Sequence, residues 1–313
     1  MKKLLFKIGV YAITIFVLLE CYVRIFHLSS DVPKRVIDEF GVEKRISNQT
    51  GTNITGNRRQ HATTYKINEN GFNSIRSQIS SSENFKLALI GDSYIEGFHQ
   101  DYNNSLGRMI ETELDSVEVY EYGCGGYDLA DQFHMINAYK DKFAELDLIV
   151  VYMKYENDLE RSIYTTNQIR LNKMNNVVGK IRNFSKLLSY GGGLGLINKF
   201  GKFLKSLKLP VNSASQDSSK SLITDSTKIK NFETLISNYG INKNKVKLLL
   251  DSRNTCPNFL AFCDDIGMCY IDFAETLKHA EKETTFIYDT HWNSYGRNLL
   301  AKKISDCVAN NVH

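Results

Sequence analysis

Proline is scarce in this chain, three among 313 residues, and tryptophan occurs once. So few prolines exclude a proline-rich linker or recognition segment. Cysteine is sparse too: there are six, and no two are spaced C-x-x-C, which argues against a zinc site. Cys21 lies in an apolar N-terminal run, leaving Cys124, Cys256, Cys263, Cys269 and Cys307. That odd set argues against a full disulfide framework; it leaves one bridge, such as Cys256 with Cys263, or free buried thiols. Charge of one sign is also missing. Against 39 basic side chains stand 35 acidic ones, for a net +4. The basic residues are dispersed, so nucleic acid is not expected as a partner. No internal repeat is visible. What remains, 42% hydrophobic and 24% charged residues, is the composition of a folded globular protein. The length suits one large domain or two small ones.

One long hydrophobic run is present. "MKKLLFKIGVYAITIFVLLECYVRIF" opens with Lys2, Lys3 and Lys7 and continues without charge from Ile8 to Leu19. Leu4 to Val23 approaches the ~20 residues that span a bilayer. No small residues are placed as A-x-A for signal-peptide cleavage, and Glu20 precedes Cys21 where a lipoprotein needs a small residue. Residues 1–27 are therefore expected to be a transmembrane signal anchor. The lysines favour a cytoplasmic N-terminus, so the body is expected to be extracytoplasmic, periplasmic or at the cell surface.

Residues 28–64 are polar and weakly patterned, and read as a stalk with an irregular approach to a domain over 65–313. Within that domain strand and helix signals alternate. Strands are expected over 86–90, 117–122, 146–153, 245–250 and 268–273. Helices are expected over 104–114, over 126–139 ("GYDLADQFHMINAY"), and over 294–308, where Leu299, Leu300, Ile304 and Val308 fall at helical spacing. This alternation predicts a parallel sheet covered by helices. Residues 160–244 interrupt it as an insertion too long for an ordinary connection. The insertion contains a basic amphipathic piece, Gly195–Leu209, and a polar patch, Asn212–Ser221, expected to be a mobile loop. The basic piece reads chiefly as a solvated helix face, with a membrane surface or an acidic glycan as the other reading.

In an open parallel sheet, reactive groups gather at the carboxyl ends of the strands. Gly91, Asp92 and Ser93 follow the first expected strand. "GCGGY", Gly123–Tyr127, follows the second, and Asn157-Asp158 follows the third. "YDTHW", with Asp289 and His291, precedes the last helix. These residues make an acyl-transfer set: Ser93 as nucleophile, His291 as its base, Asp289 to orient the imidazole. The N–H of Gly126, the amide of Asn157 and the N–H of Ser93 are candidates to hold an oxyanion. Alone, each motif has a plainer reading as a turn, a cap or a packed side chain; their order along the chain is the signal. "GCGG" also hints at dinucleotide binding, but Asp128 stands where G-x-G-x-x-G needs its third glycine. No metal cluster stands out, and no cofactor is expected.

In that order the blocks resemble the SGNH or GDSL hydrolases: Gly91-Asp92-Ser93, the Gly126 turn, Asn157-Asp158, and Asp289 with His291 before the final helix. "INENGFNS", Ile67–Ser74, is similar to the segment before the first strand in membrane-anchored bacterial members. The resemblance covers roughly 65–160 and 245–310. It implies a three-layer α/β/α sandwich with a five-stranded parallel sheet of flavodoxin-like topology. It also implies a serine esterase. Three departures stand out: D-x-H replaces D-x-x-H, Glu121 replaces a frequent Asn, and "YE" precedes Asn157. D-x-H-W is similar to relatives that O-acetylate exopolysaccharides. The expected activity is removal or transfer of O-acyl groups on an envelope carbohydrate, with Trp292, Tyr94 and Tyr127 as sugar-stacking candidates or packing. The alternative is a catalytically silent, anchored binding or assembly protein of the same fold.

Overall fold

The computed structural model describes the chain except residues 57–58, 176–178, 180, 182–183, 197–198, 200–222 and 313. The polar patch 212–221, and most of the basic piece beyond Leu196, therefore lie outside the described residues. Two compact units emerge: residues 1–32, 51–62 and 168–221 form one, and 33–50, 63–167 and 222–313 form the other.

The larger unit is built on a five-stranded sheet. Its strands are β1 (Phe85–Gly91), β2 (Val117–Gly123), β3 (Leu148–Tyr152), β4 (Val246–Leu250) and β5 (Tyr270–Asp272). The order is β2-β1-β3-β4-β5, every pairing parallel. Expected and observed strands match within a few residues, because most are short runs buried on both faces; the edge strand β5 buries Ile271 alone. All seven positions of β2 are buried, although its sequence alternates apolar and polar.

Helices cover both faces and divide the core in two. One face packs Ala88, Ile90, Ile149 and Val151 against the helices Leu129–Ala138, Asp225–Tyr239 and Pro257–Asp265. The other packs Leu87, Leu89, Val150 and Leu249 against Leu106–Glu113 and Ser294–Val312. Parallel strands alternating side chains to two covered faces give this three-layer arrangement.

Two stretches differ from expectation. Residues 33–50, expected within the stalk, belong to the larger unit, where Arg35–Ile37 pairs antiparallel with Glu43–Arg45. They carry charge rather than apolar period, and Arg35, Glu43 and Arg45 are held in ion pairs with little exposure. The helix Asp225–Tyr239, expected within the insertion, inserts Phe232 and Leu235 into the core. In the smaller unit the helix Lys2–Ile25 is long and apolar enough to cross a membrane, with an 18-residue window of mean hydropathy 2.1. None of the six cysteines forms a disulfide, Cys256 and Cys263 included.

Candidate active site

β1 ends at Gly91, and the chain turns at once into the short helix Ser93–Glu96. Asp92 caps that helix, its carboxylate accepting the Tyr94 N–H at 2.8 Å. The turn is tight enough that glycine is required beside it. A Cβ on Gly91 would lie 2.4 Å from Ile95 Cγ1, and one on Gly123 would lie 2.0 Å from the Glu96 backbone N. The Ser93 turn therefore sits directly on the end of β2.

The second half of the site comes from the hairpin of Thr285–Phe286 with Asp289–Trp292. It brings His291 Nε2 to 2.8 Å from Ser93 Oγ across 198 residues of sequence. Asp289 Oδ1 faces His291 Nδ1 and also accepts the His291 backbone N–H at 2.9 Å. The D-x-H spacing thus lets one carboxylate oxygen hold both ring and backbone. Burial raises the Asp289 carboxyl, but the hydrogen bonds from His291 hold it below the usual carboxylate range.

The imidazole lies between two rings. Tyr94 stacks on it at 4.4 Å and His99 at 3.9 Å between centroids. The Tyr94 hydroxyl donates to the Thr290 carbonyl at 2.9 Å, tying the Ser93 turn to the hairpin. His99 Nε2 is 3.6 Å from Asp289 Oδ2. Donor atoms of His99, Asp289 and His291 lie within 4.8 Å of one another, a spacing some metal sites share. Here, however, the two imidazoles stack at an interplanar angle of 18°, and His291 uses both ring nitrogens in the Ser–His–Asp chain.

Gly126 follows a residue, Gly125, whose N–H and carbonyl are both held. The Gly125 N–H donates to Glu96 Oε2 at 2.9 Å, and Arg35 Nη2 donates to the Gly125 carbonyl at 2.6 Å. A trans peptide points its N–H opposite its C=O, so the Gly126 N–H is aimed away from Arg35. A Cβ on Gly125 would lie 3.6 Å from Ser93 Cβ, so this loop borders the serine. Gly126 has φ +84°, which glycine adopts without strain. Glu96 is itself held by Arg45 at 2.7 Å in a buried pair, and Arg35 by Glu43 at 2.7 Å.

Asn157 is exposed after β3, its backbone N–H donated to the Lys154 carbonyl at 3.3 Å. Its neighbour Asp158 is buried and accepts the Lys154 N–H at 2.8 Å. Burial pushes the Asp158 carboxyl well above its ordinary range. Lys154 Nζ lies 3.7 Å from Asp92 and 4.3 Å above the Tyr94 ring. Tyr94, Tyr127 and Trp292 are buried, with Trp292 3% exposed. They are packing residues, and Tyr94 and Trp292 form part of the wall of an adjoining cavity. That cavity is about 450 Å³ and is also lined by Lys154, Arg253, Thr285 and Thr290.

No family model matches the chain, and no curated protein does. Solved structures do. One is a lipase/acylhydrolase from Enterococcus faecalis, at 15% identity and TM-score 0.41, covering 72% of this chain and 96% of that one. Another is a member of the lipolytic protein G-D-S-L family from Veillonella parvula, at 14% identity and TM-score 0.40, covering 71% and 97%. A psychrotrophic esterase from Pseudoalteromonas matches at 8% identity and TM-score 0.42, covering 73% and 99%. The chain is similar to lipolytic proteins of the G-D-S-L family. The likeness is remote, and the fold assigned above stands on the sheet order itself.

Sequence reasoning missed Arg35, Arg45, Glu96 and His99 around this site. His99 follows the G-D-S turn by six residues, a distance that no helical or strand period marks. Arg35 and Arg45 belong to strands of three residues each. The exposed apolar tip of the hairpin, with Ile287 at 96% exposure, also escaped notice.

Proposed function

We propose that this protein is a serine esterase of the SGNH/GDSL type that removes or transfers O-acyl groups. The observation that carries this reading is the unbroken chain from Ser93 Oγ through His291 to Asp289. In the first half-reaction His291 Nε2 takes the Ser93 proton as Oγ attacks the ester carbonyl carbon. The negative oxygen of the tetrahedral intermediate is assigned to the N–H groups of Ser93 and Gly126. The first N–H groups of a helix have no partner within it, and the Gly126 N–H is aimed by the held peptide before it. Asn157 is the third donor proposed, on its position after β3. His291 then gives its proton to the leaving alcohol oxygen as the C–O bond breaks. Water or a sugar hydroxyl, deprotonated by the same imidazole, attacks the acyl-serine carbon; the bond to Ser93 Oγ then breaks, and His291 returns the proton to Oγ as the acid or the new ester leaves.

The substrate is assigned as an O-acetylated carbohydrate of the cell envelope. Supporting it, the adjoining cavity is lined by threonine hydroxyls and charged side chains beside the edges of packed rings, a lining that suits a polyhydroxylated ring more than a long acyl chain. The helix Lys2–Ile25 is assigned as the membrane anchor, with the α/β unit outside the cytoplasm. The test is acetate release from an O-acetylated polysaccharide by the full chain and by Ser93→Ala. Release by the parent alone supports the assignment. Hydrolysis of simple acetyl esters without any action on acetylated glycans would leave the esterase and remove the carbohydrate.

A further inference from the structure

The apolar N-terminal helix carries one acidic residue, Glu20, near its C-terminal end. Its carboxylate accepts hydrogen bonds from Ser185 Oγ at 2.8 Å and from the backbone N–H groups of Lys186 and Leu187, both at 2.9 Å. These amides open the helix Lys186–Gly193, and the first N–H groups of a helix otherwise lack partners. Arg24, one turn further along the N-terminal helix, donates Nε to Glu20 at 2.7 Å and an Nη2 hydrogen to the Phe184 carbonyl. Lys186 Nζ reaches Asp31 at 2.7 Å and the Ser30 carbonyl at 3.2 Å. Leu28, Val32, Tyr190 and Leu194 line a cavity of about 300 Å³ beside this seam.

Those bonds fix a depth. An ionised carboxylate at the centre of a bilayer costs about 3 kcal/mol or more, so Glu20 belongs in the headgroup layer. At 1.5 Å per residue the distance from Lys3 to Glu20 is about 26 Å, close to a hydrocarbon thickness of about 30 Å. The lysines reach the opposite interface by snorkelling. Groups bonded directly to Glu20 and Arg24 must lie at the same level. Phe184 is 82% exposed and Leu196 51%, apolar surface that is unfavourable in water and favourable at the boundary between headgroups and acyl chains.

We propose that residues 184–196 form a membrane-interface element, a short helix docked on the outward end of the spanning helix through Glu20, with Phe184 in the upper acyl layer of the bilayer. The proposal rests on reading Lys2–Ile25 as a membrane span, and not on the Ser93 chemistry. The experiment uses the full chain in vesicles of phosphatidylethanolamine and phosphatidylglycerol. Phe184→Trp adds one indole, and the parent protein supplies the Trp292 signal to subtract. The added indole is expected to be quenched by lipids brominated high on the acyl chain and shielded from iodide. Glu20→Ala is expected to abolish that quenching while the protein still floats with the vesicles after alkaline carbonate washing. Iodide-accessible, unquenched emission from a protein that floats would overturn the proposal and leave the span intact. Quenching unaffected by Glu20→Ala would overturn the docking through Glu20. Release of the parent by carbonate would remove the span itself, and the proposal with it.

Discussion

Arg35 lies 90 positions from Gly125 in sequence, yet it holds the Gly125 carbonyl with one arm of its guanidinium and Glu43 with the other. Arg35→Lys keeps a cation for buried Glu43, but a single ammonium cannot reproduce the fork. The bond to Gly125 is then the interaction lost. Hydrogen bonds from charged donors contribute about 1.5–3 kcal/mol, and about 1.4 kcal/mol corresponds to a factor of ten. If that restraint aims the Gly126 N–H at the oxyanion, kcat should fall roughly 10- to 100-fold. The ceiling is the roughly 100- to 1000-fold cost of deleting an oxyanion donor outright. KM should change little, because the bond is needed only once the charge develops. The assay is steady-state hydrolysis of a short activated acetyl ester, with circular dichroism to show that the variant is folded. A folded Arg35→Lys with kcat within about twofold of the parent would refute the reasoning and remove Gly126 from the oxyanion hole.

Three further outcomes are expected. His99→Ala should lower kcat roughly tenfold by freeing one face of the His291 ring, while His99→Phe should restore most of it, since the stack and not the ring nitrogens does the clamping; equal loss in both would assign the effect to the contact with Asp289. Burial lifts the Glu121 carboxyl from 4.5 to about 7. It therefore ionises first in the unfolded chain, and stability falls as pH rises from about 4.5 to about 7, by on the order of 3 kcal/mol from this group. Urea unfolding of Glu121→Gln at about pH 5 and about pH 8 should show that part of the fall gone; an unchanged pH dependence would contradict the assignment. Gly123→Ala, which would drive a Cβ against the Glu96 backbone, should destabilise by about 3 kcal/mol or more, and a melting temperature within a degree or two of the parent would show that the turn has slack.

The sheet was legible because β1, β3 and β4 are short apolar runs, β2 alternates as a strand does, and glycine or a polar cluster follows the first three strands. The Ser, His and Asp positions were legible from their order at predicted strand ends, without any distance. The supports were not. Arg35, Arg45, Glu43 and Glu96 are charged residues that read as solvent-facing in sequence, yet their side chains are at most 10% exposed, in paired arrangements. No period announces an ion pair between a three-residue strand and the Ser93 turn. His99 is likewise invisible, since its partner His291 lies 192 positions away and only the hairpin brings them together. Aromatic residues beside the catalytic motifs looked available to substrate, but Trp292 and Tyr94 serve as core against Tyr152 and Phe273. The helix Asp225–Tyr239 was hidden within a polar insertion because only Phe232 and Leu235 of its fifteen residues are fully buried.

The central claim is that Ser93 is a nucleophile activated by His291. The most direct measurement is covalent labelling of the full chain with an activated alkylphosphonate, read by mass spectrometry, alongside acetyl-ester hydrolysis by the parent, Ser93→Ala and His291→Ala. The account predicts one phosphonate on Ser93 in the parent, none in Ser93→Ala, and hydrolysis reduced by roughly three or more orders of magnitude in both variants. Equal hydrolysis rates in all three proteins, with no adduct on Ser93, would contradict it.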